Sequence, residues 1–268
     1  MVEIFDNIRK IYRFIAPGEE LHDKIEFYSE SSAEATQNHL GGQSFTVKMF
    51  SSWTPTIWIN LGPSYKLAID KKRLVVPPGK SILLLRDTIV ERINQSSDHI
   101  FTIKFHPGGL EYLLGIQQPK LLGKLVDAHE ILPKYLVYNI RAAHGIEERA
   151  SLIETFFLDK FQSKKRNDNY FDLVKNSIAT YESGNLKFNV DELAGRMFLS
   201  SKTINRYFKR VIGTTPKHYL SILRAREALP SYIADRRNFD PAFFGYYDKS
   251  HFYKEMVKFT GSGLKGTN

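Results

Sequence analysis

Lys202, Asn205, Arg206 and Lys209 fall at i, i+3, i+4 and i+7, the spacing that lays side chains along one face of a helix. Thr203 adds a hydroxyl to the same turn. That face is cationic and rich in hydrogen-bond donors. An arginine there suits O6 and N7 of guanine, an asparagine suits adenine, and lysines meet phosphates. Ile204, Phe208 and Val211 fall at i, i+4 and i+7 on another face, which must be buried. The pattern by itself fits two things: a recognition helix for the major groove, or an ordinary amphipathic helix with a solvated basic face.

The flanking residues say how such a helix is held. Ser200 and Ser201 are N-cap residues, since a short hydroxyl accepts from the orphan N–H groups of a first turn. Gly213 supplies a helix stop. Upstream, Asp191 sits near the start of a preceding short helix, where a carboxylate meets the positive helix end. Leu193, Ala194, Met197 and Phe198 make its apolar stripe. Two short helices across a tight turn are the layout of a helix-turn-helix, whose second helix enters the major groove. Phe171, Val174, Ile178 and Tyr181 predict an opening helix, closed at Ser183-Gly184-Asn185. Pro216 fits the first turn of a following helix through Tyr219, Leu220, Leu223 and Ala228. Further on, Asp248 caps a helix in which Phe252, Met256 and Phe259 face inward, leaving Lys249, Ser250, Tyr253 and Lys254 outward.

These pieces resemble AraC/XylS-type transcription regulators. DELAGRMFLSSKTINRYFKRVIGTTPKHYL is similar to that family's first helix-turn-helix, through Leu193-Ala194, Ser200, Ile204, Arg206, Phe208-Lys209, Gly213, Pro216 and Tyr219. Arg224 and Ala228 fit its R-x-x-x-A, and Gly245 to Gly261, GYYDKSHFYKEMVKFTG, resembles its second signature. The resemblance implies two heads reading adjacent major-groove segments of double-stranded DNA, joined by a rigid spacer helix. It further implies a small-molecule effector, with a homodimer and RNA polymerase as further partners. The second head departs from the pattern. Pro230 lies in the spacer helix, where it is expected to kink or end it. Ser231-Tyr232 stand where the family has two leucines, and Asp240-Pro241 shorten the supporting helix. Met256-Val257 and Leu264 are further departures. The second head is therefore expected to act mainly through phosphates.

Charge agrees with a polyanion partner at the C-terminal end. The 268 residues carry a formal net charge of +9, of which residues 1–168 hold +2 (22 basic, 20 acidic) and residues 169–268 hold +7 (16 basic, 9 acidic). A basic half can also be a solubility feature. With 42% hydrophobic residues the chain can build packed cores. It has no cysteine, so thiolate chemistry, disulfides and cysteine metal sites are excluded. The charged N-terminus is not a signal peptide, and no stretch approaches the ~20 apolar residues that span a bilayer. A cytoplasmic protein without membrane contact is expected.

The N-terminal half reads differently. Phe45–Phe50, Thr56–Leu61, Tyr65–Ile69, Arg73–Val76, Ser81–Arg86, Ile89–Ile93 and His99–Phe105 are short β-branched and aromatic runs between Pro, Gly and Ser breakers. They predict an antiparallel barrel or sandwich. The fold class is therefore α+β: an N-terminal barrel or sandwich with helices, then an all-α unit with two helix-turn-helices. The expected domains are a sensor at 1–161, a linker at 162–169 (QSKKRNDN) and a DNA-binding unit at 170–268. The barrel resembles, loosely, the cupin-like sensors of the family. FTIKFHPGGLEYLLG, Phe101 to Gly115, is similar to a segment of uncharacterised sensors fused to such DNA-binding units. Trp53, Trp58 and Tyr65 are candidates for lining an effector pocket, against the plainer alternative of core aromatics. Residues 120–162 read as helices, with Leu121, Leu122, Leu125 and Val126 on one face. The stripe Ile146, Ala150, Ile153, Phe157 and Phe161 suits either the chain's own barrel or a dimer partner.

Other signals lead away from enzyme chemistry, and no catalytic residue, metal or cofactor is expected. Gly79-Lys80-Ser81 invites a phosphate-loop reading, but Leu74 stands where the first glycine is needed, and Pro77 and Pro78 lack N–H groups. A plain β-turn fits better. Eight histidines are scattered without metal-ligand spacing. Glu147 and Glu148 point about 100° apart on a helix, which suits a solvated face. Two alternatives to a ligand-sensing regulator stand beside it: a cupin-type enzyme with a basic appendage, and an architectural DNA binder without effector.

Overall fold

The computed structural model describes residues 11–162 and 169–261. Leu264 and all but the ends of the expected linker lie outside them. The chain opens with β1 (Tyr12–Ile15), β2 (Ile25–Ser31) and the helix α1 (Ala33–Leu40), capped by Ser32 and stopped by Gly41 at φ 57°. Seven strands follow where seven apolar runs predict them: β3 (Phe45–Met49), β4 (Pro55–Asn60), β5 (Tyr65–Ile69), β6 (Lys72–Val76), β7 (Ser81–Leu85), β8 (Val90–Asn94) and β9 (Ile100–Phe105). With β10 (Leu125–Asp127) they form two antiparallel sheets, β1-β2-β9-β4-β7-β10 and β3-β8-β5-β6. Asp70 and Lys71, at φ 46° and 66°, make the tight turn between β5 and β6. Lys80 N–H donates to Pro77 O at 3.2 Å, so the Gly79-Lys80-Ser81 stretch sits in a β-turn.

β4, β7 and β9 are buried at every position, which is why they read as continuous apolar runs. The pleat sends alternate side chains to opposite faces. Trp58, Ile82, Leu84 and Ile100 meet Val47, Tyr65, Leu67 and Val90 between the sheets. Ile57, Ile59, Leu83, Phe101 and Ile103 face a helical layer on the other side. That layer is α2 (Gly109–Leu114), α3 (Lys134–Ala142) and α4 (Ile146–Gln162). Ile146, Ala150, Ile153 and Phe157 are all within this core, so the stripe of α4 covers the sheet of its own chain. Arg149, itself buried, pins the layer by donating to Ile140 O and Ala143 O and pairing with both oxygens of Glu30 at 3.0 Å.

Residues 120–133 correct the helical expectation. Gly123 turns the chain at φ 64°, β10 pairs with β7 in the register Val126↔Leu83, and only short 3-10 turns flank it. Leu122 and Leu125 are partly exposed and share no apolar face.

The C-terminal part is all helix: α5 (Asn169–Ser183), α6 (Val190–Arg196), α7 (Ser201–Val211), α8 (Pro216–Ala234) and α9 (Lys249–Thr260). α8 runs through Pro230, which is exposed, to Ala234. Of the two outcomes expected of the proline, a kink or an end, the helix does not end there.

Candidate nucleic-acid interface

The first helix pair is built from local signals. Asn189 is the N-cap of α6: its side chain accepts from Asp191 N and Glu192 N, while Glu192 accepts from Asn189 N at 2.8 Å, and Asp191 lies in the first turn as expected. Asp191 also accepts a hydrogen bond from Ser201, tying the two helices together. Leu193 and Ala194 are buried, but Phe198 corrects the expected stripe. It sits in the turn at φ 55°, 96% exposed. Ser200 caps α7 by accepting from Thr203 N at 3.2 Å. Ile204, Phe208 and Val211 are buried against α5 and α8, with Val174, Tyr181 and Leu220 among their neighbours. The opposite face presents Lys202, Thr203, Asn205, Arg206 and Lys209 around one open concavity. All five expected contact residues of α7 are thus brought together at the surface.

The second pair is less regular. Pro241–Phe244 forms only a 3-10 turn, capped by Asp240. Asp248 caps α9 by accepting from His251 N at 2.7 Å. Phe252, Met256 and Phe259 are buried, and Lys249, Ser250 and Lys254 are exposed. Tyr253 is exposed as well, but it also has a partner. Its hydroxyl lies 3.4 Å from that of Tyr232, and its ring meets the Tyr232 ring edge-on. α8 is fixed to this pair by Arg224, which donates to Glu255 at 2.9 Å and Gly245 O at 3.3 Å and lies over the Tyr246 ring.

Sequence reasoning missed how the sandwich grips both pairs. Arg210, near the end of α7, makes a two-pronged pair with Glu111 of α2 at 2.8 and 2.7 Å. Gln118 is wholly buried between the two parts. Its amide donates to Trp53 O and Ile212 O, both at 2.8 Å, and its oxygen accepts from Gly108 N. Gly108 has φ 78°, and a Cβ there would lie 2.6 Å from Val211, so this first glycine of HPGG is where α7 meets the sandwich. Phe50 leaves β3 and enters the core of the second pair, tilted against Phe259. Lys175 pairs with Asp23 at 2.8 Å and Arg226 with Glu26 at 3.2 Å. Burial raises the Glu26 pKa, but the Lys104 and Arg226 charges outweigh it and hold the carboxyl well below its ordinary range. No short-range signal marks these residues.

The three effector-pocket candidates separate. Trp58 and Tyr65 lie edge-to-face at 6.4 Å inside the sandwich, both buried. Trp53 is elsewhere, at φ 52°, edge-on to His218 between sandwich and helices. It does not share a pocket with them, because its backbone turns it out of the strand pleat. Glu147 and Glu148 do not act as a pair either: one meets Arg13, the other accepts from His144 N. Among the described residues no three His, Asp or Glu side chains gather as a metal site, and no helix is long and apolar enough to cross a membrane.

No family model and no curated protein matches the chain. Solved structures are similar to it at low identity. ToxT from Vibrio cholerae has a TM-score of 0.47 and 10% identity, covering 83% of this chain and 96% of that one. Wild-type ToxT of strain SCE256 with an unsaturated fatty acid bound scores 0.43, with 10% identity over 82% of this chain and 92% of that one. A cupin 2 conserved barrel protein from Salinispora arenicola scores 0.29, at 10% identity over 37% of this chain and 78% of that one.

Proposed function

We propose that this chain is a one-component transcription regulator of the AraC/XylS type, a sequence-specific DNA-binding protein rather than an enzyme. Residues 170–268 form the DNA-binding unit, 162–169 the linker and 1–161 the sensor for a small molecule. The observation that carries the reading is the exposed face of α7, where Lys202, Thr203, Asn205, Arg206 and Lys209 surround one concavity behind a Ser200 cap. Arg206 reads guanine and Asn205 reads adenine, while the lysines contact phosphates. Lys249, Ser250, Tyr253 and Lys254 of α9 add contacts from the second head, with Tyr253 held back by Tyr232. The protein works in the cytoplasm on double-stranded DNA, with a second copy and RNA polymerase as further partners.

The sandwich grips both heads through Gln118, Arg210 and Phe50. A ligand that changes the sandwich therefore acts on the spacing of the heads, which must sit about one helical turn apart to engage one DNA face. Genome-wide footprinting of the full chain tests the reading. A recurrent two-part site upstream of genes is expected, and binding without sequence preference would overturn it.

A further inference from the structure

A cavity of about 360 Å³ lies where α5, α8 and the sandwich meet. Pockets that hold small ligands begin at about this size. Two helix faces make its long walls: Phe171, Ile178 and Glu182 from α5, and Tyr219, Leu223 and Glu227 from α8. Tyr219 and Glu227 stand eight residues apart on α8, about 12 Å along its axis. His106 and Pro107 of the sandwich line it as well.

Its chemistry runs against that of the chain around it. The C-terminal part is strongly basic, yet four carboxylates line this cavity against two permanent cations, Lys175 and Arg226. Both cations are already engaged, with Asp23 and Glu26. Burial lowers the His106 pKa, which favours its neutral form. Glu182 and Glu227 at the mouth have no hydrogen-bond or ion-pair partner among the described residues. Partial burial and the Glu227 charge push the Glu182 pKa up against the opposing charge of Arg226. Two adjacent like charges at the edge of a cavity attract a cation. A separate observation lies deeper. Tyr219 is 2% exposed and lines the cavity, yet its hydroxyl makes no hydrogen bond to any described residue. That hydroxyl is left open to the cavity, where a ligand atom can bond it. Between the two ends the walls are the apolar side chains of Phe171, Ile178 and Leu223.

We propose that this cavity binds a small organic amine with an aromatic or aliphatic body. Glu182 and Glu227 hold its cation, the apolar walls hold its body, and Tyr219 bonds a polar atom at its far end. The site joins all three parts that set the geometry of the heads: α5 packs on α7, α8 is the spacer, and the sandwich grips both heads. The amine's role as effector rests on the regulator reading, but its binding does not.

Calorimetry on the full chain without DNA tests the site, using tyramine, 2-phenylethylamine and 1,4-diaminobutane, with 3-(4-hydroxyphenyl)propionate as an anion of matching body. Saturable binding of tyramine and no binding of the anion are expected. Glu182→Gln with Glu227→Gln, both surface positions, should weaken tyramine about tenfold or more. Tyr219→Phe, which keeps the ring, should weaken it about three- to tenfold and leave 2-phenylethylamine unchanged. Thermal melting verifies that the variants fold. Failure of all three amines to bind, equal or tighter binding of the anion, or tyramine affinity unmoved in the double glutamine variant would each overturn the proposal. DNA affinity with and without tyramine is measured separately. If amine binding holds and DNA affinity does not move, the site stands and its regulatory role falls.

Discussion

The two helix pairs use the same parts and arrive at different surfaces. The first has two full helices, a capping box, a Ser200 cap and a cationic face turned wholly outward. The second is supported by a single 3-10 turn, and one of its outward residues, Tyr253, is held by Tyr232. They also differ in how the sandwich holds them. The first is gripped by directional polar contacts, Gln118 to Ile212 O and Glu111 to Arg210. The second is gripped by an apolar side chain, Phe50, inserted in its core. Polar contacts fix orientation, whereas apolar burial fixes proximity. Under the proposed function, the first head sets register on DNA and the second adds affinity.

Salt gives the largest effect. Affinity of the full chain for duplex DNA should fall about 10³-fold or more between about 50 and about 200 mM salt, as Lys and Arg displace condensed counterions. A flat dependence would remove both heads from the phosphate backbone. Next is Phe50→Ala. Deleting a wholly buried ring should cost ~3–5 kcal/mol in urea unfolding, and hydrogen exchange should place the loss in 249–260 rather than 201–211. Loss spread evenly over both would dissolve the contrast in how they are gripped.

Gln118→Ala is the mirror experiment. It strands buried partners at Trp53 O, Ile212 O and Gly108 N, and should cost about 1–3 kcal/mol, with exchange quickening at 201–212. The comparison is sharpened last on DNA itself. Arg206→Ala and Asn205→Ala should each remove about 1–3 kcal/mol of base discrimination, while Lys209→Ala weakens all sequences alike. Substituting each base pair of a footprinted site should cost less under the second head than under the first. Equal costs would mean that the 3-10 support and the tethered Tyr253 leave base reading intact.

Short-range pattern determined a good deal of this molecule. Caps such as Ser200 and Asp248 act over three residues, and buried stripes such as Ile204, Phe208 and Val211 act over seven. Both are visible in one dimension because helix geometry repeats locally. The seven strands between Phe45 and Phe105 were legible as short β-branched and aromatic runs between Pro, Gly and Ser breakers. Residues 120–133 were not, since apolar spacing without caps cannot tell a helix from a strand that borrows its ladder from β7. Nor could spacing foresee that Trp53 would turn away from Trp58, because a positive φ at a non-glycine residue is imposed by packing. The contacts that join sandwich to heads are the part only tertiary structure decided. Glu111 and Arg210 are 99 residues apart, and Gln118 and Ile212 are 94 apart. Ion pairs and buried amides carry no period, so their partners are set by where the layers meet and not by the order of residues along the chain.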